Sequence, residues 1–159
     1  MSFATGRELG LPHYRLHLLD CGAYLHDLGK VKVPLEILNK PARLTPEEFA
    51  VIQRHPSFGR EMLEGTWMKP SGLIVEQHHE RLDGSGDPFG LAGDEILVES
   101  YIVAVADTYD AMTTDRPYRK ALTPEEAFAE LNKYAGTHHL KEVVKAFFSA
   151  IRQVESRTL

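Results

Sequence analysis

The sequence predicts a single all-α domain spanning Met1–Leu159, and three observations carry that reading. Apolar residues recur at helical spacing through most of the chain, two segments open with the same helix-start signal, and only one long stretch lacks periodicity. The length of 159 residues suits one domain with an ordinary hydrophobic core.

Taken in order, Tyr14, Leu18, Cys21, Leu25 and Leu28 form a stripe that ends at Gly29, predicting a first helix. Thr45-Pro46-Glu47-Glu48 and Thr123-Pro124-Glu125-Glu126 each read as a capping threonine, a proline at the first helical position and a glutamate that closes a capping box. They predict helices at about 46–55 and 124–134. A helix near 57–65 follows His55-Pro56, because the residue before proline is pushed away from helical geometry. Gly72–Glu80 reads as a helix carrying His78 and His79 near its end. Val98, Tyr101, Ile102, Val105, Tyr109 and Met112 give the clearest amphipathic helix. A last helix, about 140–155, buries Val143, Val144, Phe147, Phe148 and Ile151. The bundle is therefore expected to hold six to seven helices. Arg81–Glu95 carries four glycines and one proline and must be a loop, of a length that is usually functional or mobile.

Composition narrows the function. Hydrophobic residues at 43% and charged residues at 26% fit a globular protein and exclude disorder. No apolar run approaches the ~20 residues of a membrane span, and the N-terminal segment lacks a signal peptide's apolar stretch. Cys21 is the single cysteine, which excludes an internal disulfide and suits the reducing cytoplasm. A net charge of −5 offers no global field for DNA or anionic lipid, so a phosphate-bearing ligand needs a local cation or metal ions.

The histidines and acids carry the chemistry. His26-Asp27 sits at a helix end before Gly29-Lys30, His55 closes a later helix, and His78-His79 closes another. Asp107 lies inside the amphipathic helix between Ala104 and Ala111, where a carboxylate must be paired or metal-bound. An isolated His-Asp pair reads as a cap and an exposed acid. Several such ligands spread over four helices suit a dinuclear centre of Fe, Mn, Ni or Zn. Two metals about 3.5–4 Å apart can clamp the attacking and leaving oxygens of an in-line phosphoryl displacement. Residue types point that way, although spacing alone does not fix the ligands.

Five blocks follow in order: His26-Asp27-Leu28-Gly29-Lys30, His55-Pro56, His78-His79-Glu80, Asp83-Gly84-Ser85-Gly86-Asp87-Pro88, and the run from Val105 to Arg119. Together they resemble the HD-GYP subgroup of the HD phosphohydrolases, from about Arg7 to Phe148. The resemblance implies metal ligands at His26, Asp27, His55, His78, His79 and Asp107, with Asp27 bridging two divalent ions, iron or manganese ahead of nickel or zinc. It implies that Lys30 acts on the scissile phosphate and that Arg116 and Arg119 contact phosphate or guanine. Glu80 and Asp110 are expected to orient ligand histidines from behind. The implied reaction is hydrolysis of cyclic di-GMP to pGpG and GMP by metal-activated water, in the cytoplasm. The implied partners are a diguanylate cyclase or an upstream sensory or receiver domain. His13, His17, His138 and His139 match no ligand position and read as surface or packing residues. Tyr118 reads as a core or loop anchor.

Three departures qualify this. Asp87 stands in place of the signature tyrosine, bringing negative charge toward an anionic ligand. Leu97 and Tyr101 replace the subgroup's usual proline and arginine, removing a loop-anchoring cation. The subgroup also draws a further histidine from a helix upstream of the HD pair; none precedes His26 at that distance, so the expectation is either a fragment whose upstream helix is cut away or an incomplete centre. An under-coordinated centre with partial metal occupancy, low activity and a tendency to homodimerise is expected on that ground. The alternatives are a degenerate module that binds nucleotide or protein without turnover, and a hydrolase of another nucleotide.

Overall fold

The structure, a computed structural model, describes residues 1–115 and 120–156, with the Glu155 side chain outside that description. The α-helices are α1 (Ser2–Glu8), α2 (His13–Leu25), α3 (Leu35–Leu38), α4 (Pro46–Ile52), α5 (His55–Leu63), α6 (Gly72–Gln77), α7 (Val98–Thr113), α8 (Pro124–Lys133) and α9 (Lys141–Glu155). Short 3₁₀ turns lie at Leu28–Lys32, Lys69–Ser71 and Gly93–Glu95. No strand occurs among the described residues; β-type pairing is confined to two isolated bridges. The all-α class stands. The helices outnumber the expected set because α1 and α3, too short to show a stripe, escape periodicity.

The core is built around α7. Tyr101, Ile102, Val103 and Val105 are buried on it, so its inner half is enclosed almost all round. Val143, Val144, Phe147 and Ile151 of α9, Ala127 and Leu131 of α8, Leu19 of α2 and Ile74 of α6 pack against that helix in one cluster. Both capping boxes form: Thr45 Oγ1 accepts from the Glu48 amide at 3.2 Å, and Thr123 Oγ1 from the Glu126 amide at 3.2 Å. In each, the glutamate accepts in return from the threonine amide.

The first stripe needs correction. On α2 the buried residues are Leu16, Leu19 and Gly22, while Tyr14 is 67% exposed and Leu18, Cys21 and Leu25 are half-buried. Two contacts set this rotation. Gly22 lies so close to α6 that a Cβ there would sit 2.6 Å from Ile74 Cγ2, and Arg15 reaches the buried Glu99 carboxylate at 2.5 and 2.6 Å. Among the described residues no helix is long and apolar enough to cross a membrane.

Candidate metal centre

Four elements bring the expected ligands together. His26 caps the C-terminus of α2, and Asp27 follows it into the 28–32 turn. His55 is the first residue of α5, not the last of α4, because Pro56 is tolerated in a first turn. His78 caps α6 and His79 lies just beyond it; Asp107 projects from the middle of α7. Gly29 permits the tightest approach. A Cβ at that position would lie 1.9 Å from the His55 carbonyl oxygen and 2.5 Å from the Gly59 amide nitrogen. The glycine of the first motif is thus what seats Asp27 against α5.

Three of the histidines are oriented in the same way. His26 Nδ1 meets the Ala23 carbonyl at 2.7 Å, His55 Nδ1 the Ile52 carbonyl at 2.8 Å, and His78 Nδ1 the Val75 carbonyl at 2.6 Å. A carbonyl only accepts, so each Nδ1 carries a proton, and in the neutral tautomer that leaves Nε2 bare. Those bare nitrogens converge. His55 Nε2 lies 3.4 Å from His78 Nε2 and 3.4 Å from Asp27 Oδ1. His26 Nε2 lies 3.6 Å from Asp27 Oδ2 and 3.8 Å from Asp107 Oδ1. It is buried and has no hydrogen-bond partner among the described residues. His55, His78 and His79 offer ligand atoms that all lie within 4.8 Å of one another. Lone pairs facing lone pairs and carboxylates are what a cation relieves, and a ring N–H on a backbone carbonyl is the usual support behind a ligating histidine. The residues present fit a metal.

The electrostatics agree with that fit. Burial pushes His78 well below its ordinary range, and it acts on His79 in the same direction. Burial also pushes the Asp27 carboxyl up, but His55, Lys30 and His26 beside it outweigh this and hold it far below the usual carboxylate range. Lys30 Nζ donates to Asp27 Oδ2 at 2.6 Å, so the expected phosphate-binding cation sits at the edge of the cluster.

Several expected roles change. Among the described residues Glu80 meets no histidine: its buried carboxylate accepts from the Phe89 amide at 2.7 Å and the Leu91 amide at 2.9 Å, anchoring the glycine-rich loop. Asp110 is exposed and borders a cavity beside His26 and Asp107. The orienting groups are backbone carbonyls at helix ends instead. Tyr101 keeps the loop anchored in spite of the missing cation, since its hydroxyl donates to the Gly93 carbonyl at 3.1 Å. Asp87 does face the site, lining a cavity of about 330 Å³ with His78, His79 and Asp107. His138 and His139 line that cavity as well, so they are not mere surface or packing residues. The turn after α8 places them there, both amides donating to the Tyr134 carbonyl, and no motif marks them in the sequence. Arg116, Tyr118 and Arg119 lie outside the described residues.

Fold and cluster together define a helical domain organised around a histidine–carboxylate centre. The family model described as HD domain matches residues 2–143, and the chain belongs to that family. It is 40% identical over 161 residues to the cyclic di-GMP phosphodiesterase response regulator RpfG of Xanthomonas campestris, covering 98% of this chain and 43% of that protein. It is 41% identical over 154 residues to the cyclic di-GMP phosphodiesterase PA4108 of Pseudomonas aeruginosa, covering 95% of this chain and 37% of the relative. A 3′3′-cGAMP-specific phosphodiesterase of Vibrio cholerae, number 2, is 36% identical over 139 residues, covering 86% and 27%. The crystal structure of the cyclic GMP-AMP specific phosphodiesterase V-cGAP3 of V. cholerae shares the fold, with a TM-score of 0.68 at 16% identity over 97% of this chain and 42% of that one. The chain spans less than half the length of these curated relatives.

Proposed function

We propose that this chain is the hydrolytic module of a metal-dependent cyclic di-GMP phosphodiesterase. The observation that carries the reading is the convergence of bare imidazole nitrogens on Asp27. His26, Asp27, His55, His78, His79 and Asp107 would hold two divalent ions, with iron or manganese favoured by the mixed imidazole–carboxylate donor set. Such ions lower the pKa of water and neutralise charge on phosphoryl oxygens.

The chain's own residues supply the rest. Asp27 stays ionised at any working pH, because its neighbours hold its proton affinity down. Lys30 donates to that carboxylate at 2.6 Å, and from there its ammonium would neutralise charge building on the phosphate during displacement. The products would be pGpG and GMP. Asp87 tempers affinity for an anionic ligand from the cavity wall. That single observation favours the second reading, a nucleotide-binding module without turnover. A diguanylate cyclase, or a sensory or receiver domain, is the protein partner we propose, and the cytoplasm is the location that suits an intracellular nucleotide.

Metal analysis of the purified chain after loading with manganese or iron, run beside cyclic di-GMP turnover, tests the reading. Two ions per chain with hydrolysis to pGpG supports it. Nucleotide binding without hydrolysis in the loaded protein leaves the binding module, and failure to hold either metal overturns the centre.

A further inference from the structure

The cavity of about 330 Å³ has a second wall that the proposed chemistry does not use. Besides the ligand histidines it is lined by Tyr134, His138, His139 and Arg81. The rings of Tyr134 and His138 stack at 4.5 Å between centroids and 12° between planes. His139 is only 7% exposed, yet its Nδ1 has no hydrogen-bond partner among the described residues.

Backbone hydrogen bonds tie this wall to the loop and to its own turn. The Leu82 amide donates to the His138 carbonyl at 3.0 Å, and the Gly136 amide to the His139 carbonyl at 2.7 Å. Ligand chemistry follows from what the wall lacks. Burial, with His138 and Arg81 nearby, holds His139 down at about 4, so its ring is neutral at physiological pH. Asp87 and Asp107 line the same space, and His138 Nε2 lies 4.0 Å from Asp83 Oδ2. Asp107 belongs to the ligand cluster, and Asp83 and Asp87 more than offset the Arg81 cation, so this side has no net positive charge to hold a phosphate. A flat, uncharged ring with donors and acceptors at its edge suits it. The volume sits at the low end for ligand pockets, enough for one nucleoside portion and too little for a whole cyclic dinucleotide.

We infer that the Tyr134–His139 wall is a nucleobase pocket, taking one base of the substrate while the adjoining phosphodiester faces the ligand cluster. His138 and Tyr134 offer the stacking surface, the neutral His139 ring backs it, and the Arg81 guanidinium supplies donors to the base edge. This pocket rests on the nucleotide-hydrolase reading above, and its test separates the two.

The test titrates 5′-GMP and ribose 5-phosphate into the manganese-loaded chain by calorimetry, for the wild type and for His138→Ala, Tyr134→Ala and His139→Phe. The wild type should favour GMP. His138→Ala should weaken GMP by about tenfold, the ordinary worth of a base–aromatic stack, and leave ribose 5-phosphate unchanged. Cyclic di-GMP should show the same loss in KM, with kcat less affected. Equal losses for both probes, or none for GMP, would overturn the pocket. His138 is half-buried, so this variant stays informative even where the buried His139→Phe misfolds. Suppose the wild type fails to hydrolyse cyclic di-GMP while GMP keeps a His138-dependent advantage over ribose 5-phosphate. The pocket then stands and the reaction falls. Hydrolysis with wild-type KM and GMP affinity in His138→Ala refutes the pocket alone.

Discussion

Gly29→Ala isolates the packing that builds the centre without touching a ligand. The backbone of Gly29 is not among the positive-φ glycines, so alanine has no conformational penalty there and the cost is purely steric. Its Cβ would lie 1.9 Å from the His55 oxygen, 2.5 Å from the Gly59 nitrogen and 2.9 Å from the His55 carbonyl carbon. Ordinary contacts lie near ~3.5–4.0 Å, so the first turn of α5 must retreat by about 1.5 Å. All three opposing atoms are backbone, and no side chain can swing aside. Overpacking of this kind costs about 1–3 kcal/mol, and a rigid backbone puts it at about 3. For a chain of this size that lowers Tm by roughly 6–12 °C.

The same retreat carries His55 Nε2 away from Asp27 and His78, each now 3.4 Å distant. Manganese affinity should fall about tenfold or more, as it does when a ligand's support is lost. Calorimetric melting of the metal-free protein and a manganese titration measure the two effects separately. Gly72→Ala serves as the control: its new Cβ meets the flexible Arg60 Cγ at 3.3 Å and the Arg60 Cα at an ordinary 4.0 Å, and its effect should stay within about 1 kcal/mol. A Gly29→Ala protein with wild-type Tm and manganese affinity would refute the close-approach account.

Asp27→Ala should fold, lose metal loading and lose hydrolysis, whereas Lys30→Ala should keep its metal content and lose roughly 10²–10³ in kcat; equal metal loss in both contradicts that division. Asp87→Tyr removes a like charge and adds a ring to the cavity, so cyclic di-GMP should bind more tightly by calorimetry, and weaker binding contradicts the substrate-facing loop. Glu80→Ala strips the acceptor from the Phe89 and Leu91 amides, costing about 2–4 kcal/mol and exposing residues 81–95 to protease; wild-type protection would count against the anchor. His139 should make stability pH-dependent: unfolded, it takes up a proton below about 6.5, whereas the folded chain refuses one until about 4, so stability falls as pH drops through that window. His139→Phe should flatten the urea midpoint between those pH values, and an unchanged slope would contradict the burial of a neutral ring.

How far the sequence reaches depends on whether a feature is local. The capping boxes at Thr45 and Thr123 satisfy backbone groups within four residues of themselves, and both form where the pattern puts them. The α7 and α9 stripes hold for Tyr101, Ile102, Val105, Met112, Val143, Val144, Phe147 and Ile151, which are buried, whereas Val98, Tyr109 and Phe148 are half-buried. The α2 stripe does not hold, because its rotation is decided by Gly22 meeting Ile74 and Arg15 meeting Glu99, contacts between segments far apart in the chain. Glu80, His138 and His139 are similar cases: their partners are amides and cavities that exist only after the loop and α8 have been laid against the cluster.

The ligand histidines occupy a middle ground with a physical reason behind it. His26 and His78 cap helices, and His55 follows three residues after the end of α4. The last turn of any helix leaves carbonyls without an intrahelical donor. Those of Ala23, Ile52 and Val75 are the ones that fix the three imidazoles. A histidine at or just past a helix end can therefore satisfy the helix with Nδ1 and still present a bare Nε2. The sequence could show the helix ends and the histidines beside them. It could not name the orienting groups, since a backbone carbonyl leaves no trace in residue identity. Glutamate and aspartate, the side chains able to orient an imidazole, were the natural candidates, and the fold uses Glu80 to hold the loop instead.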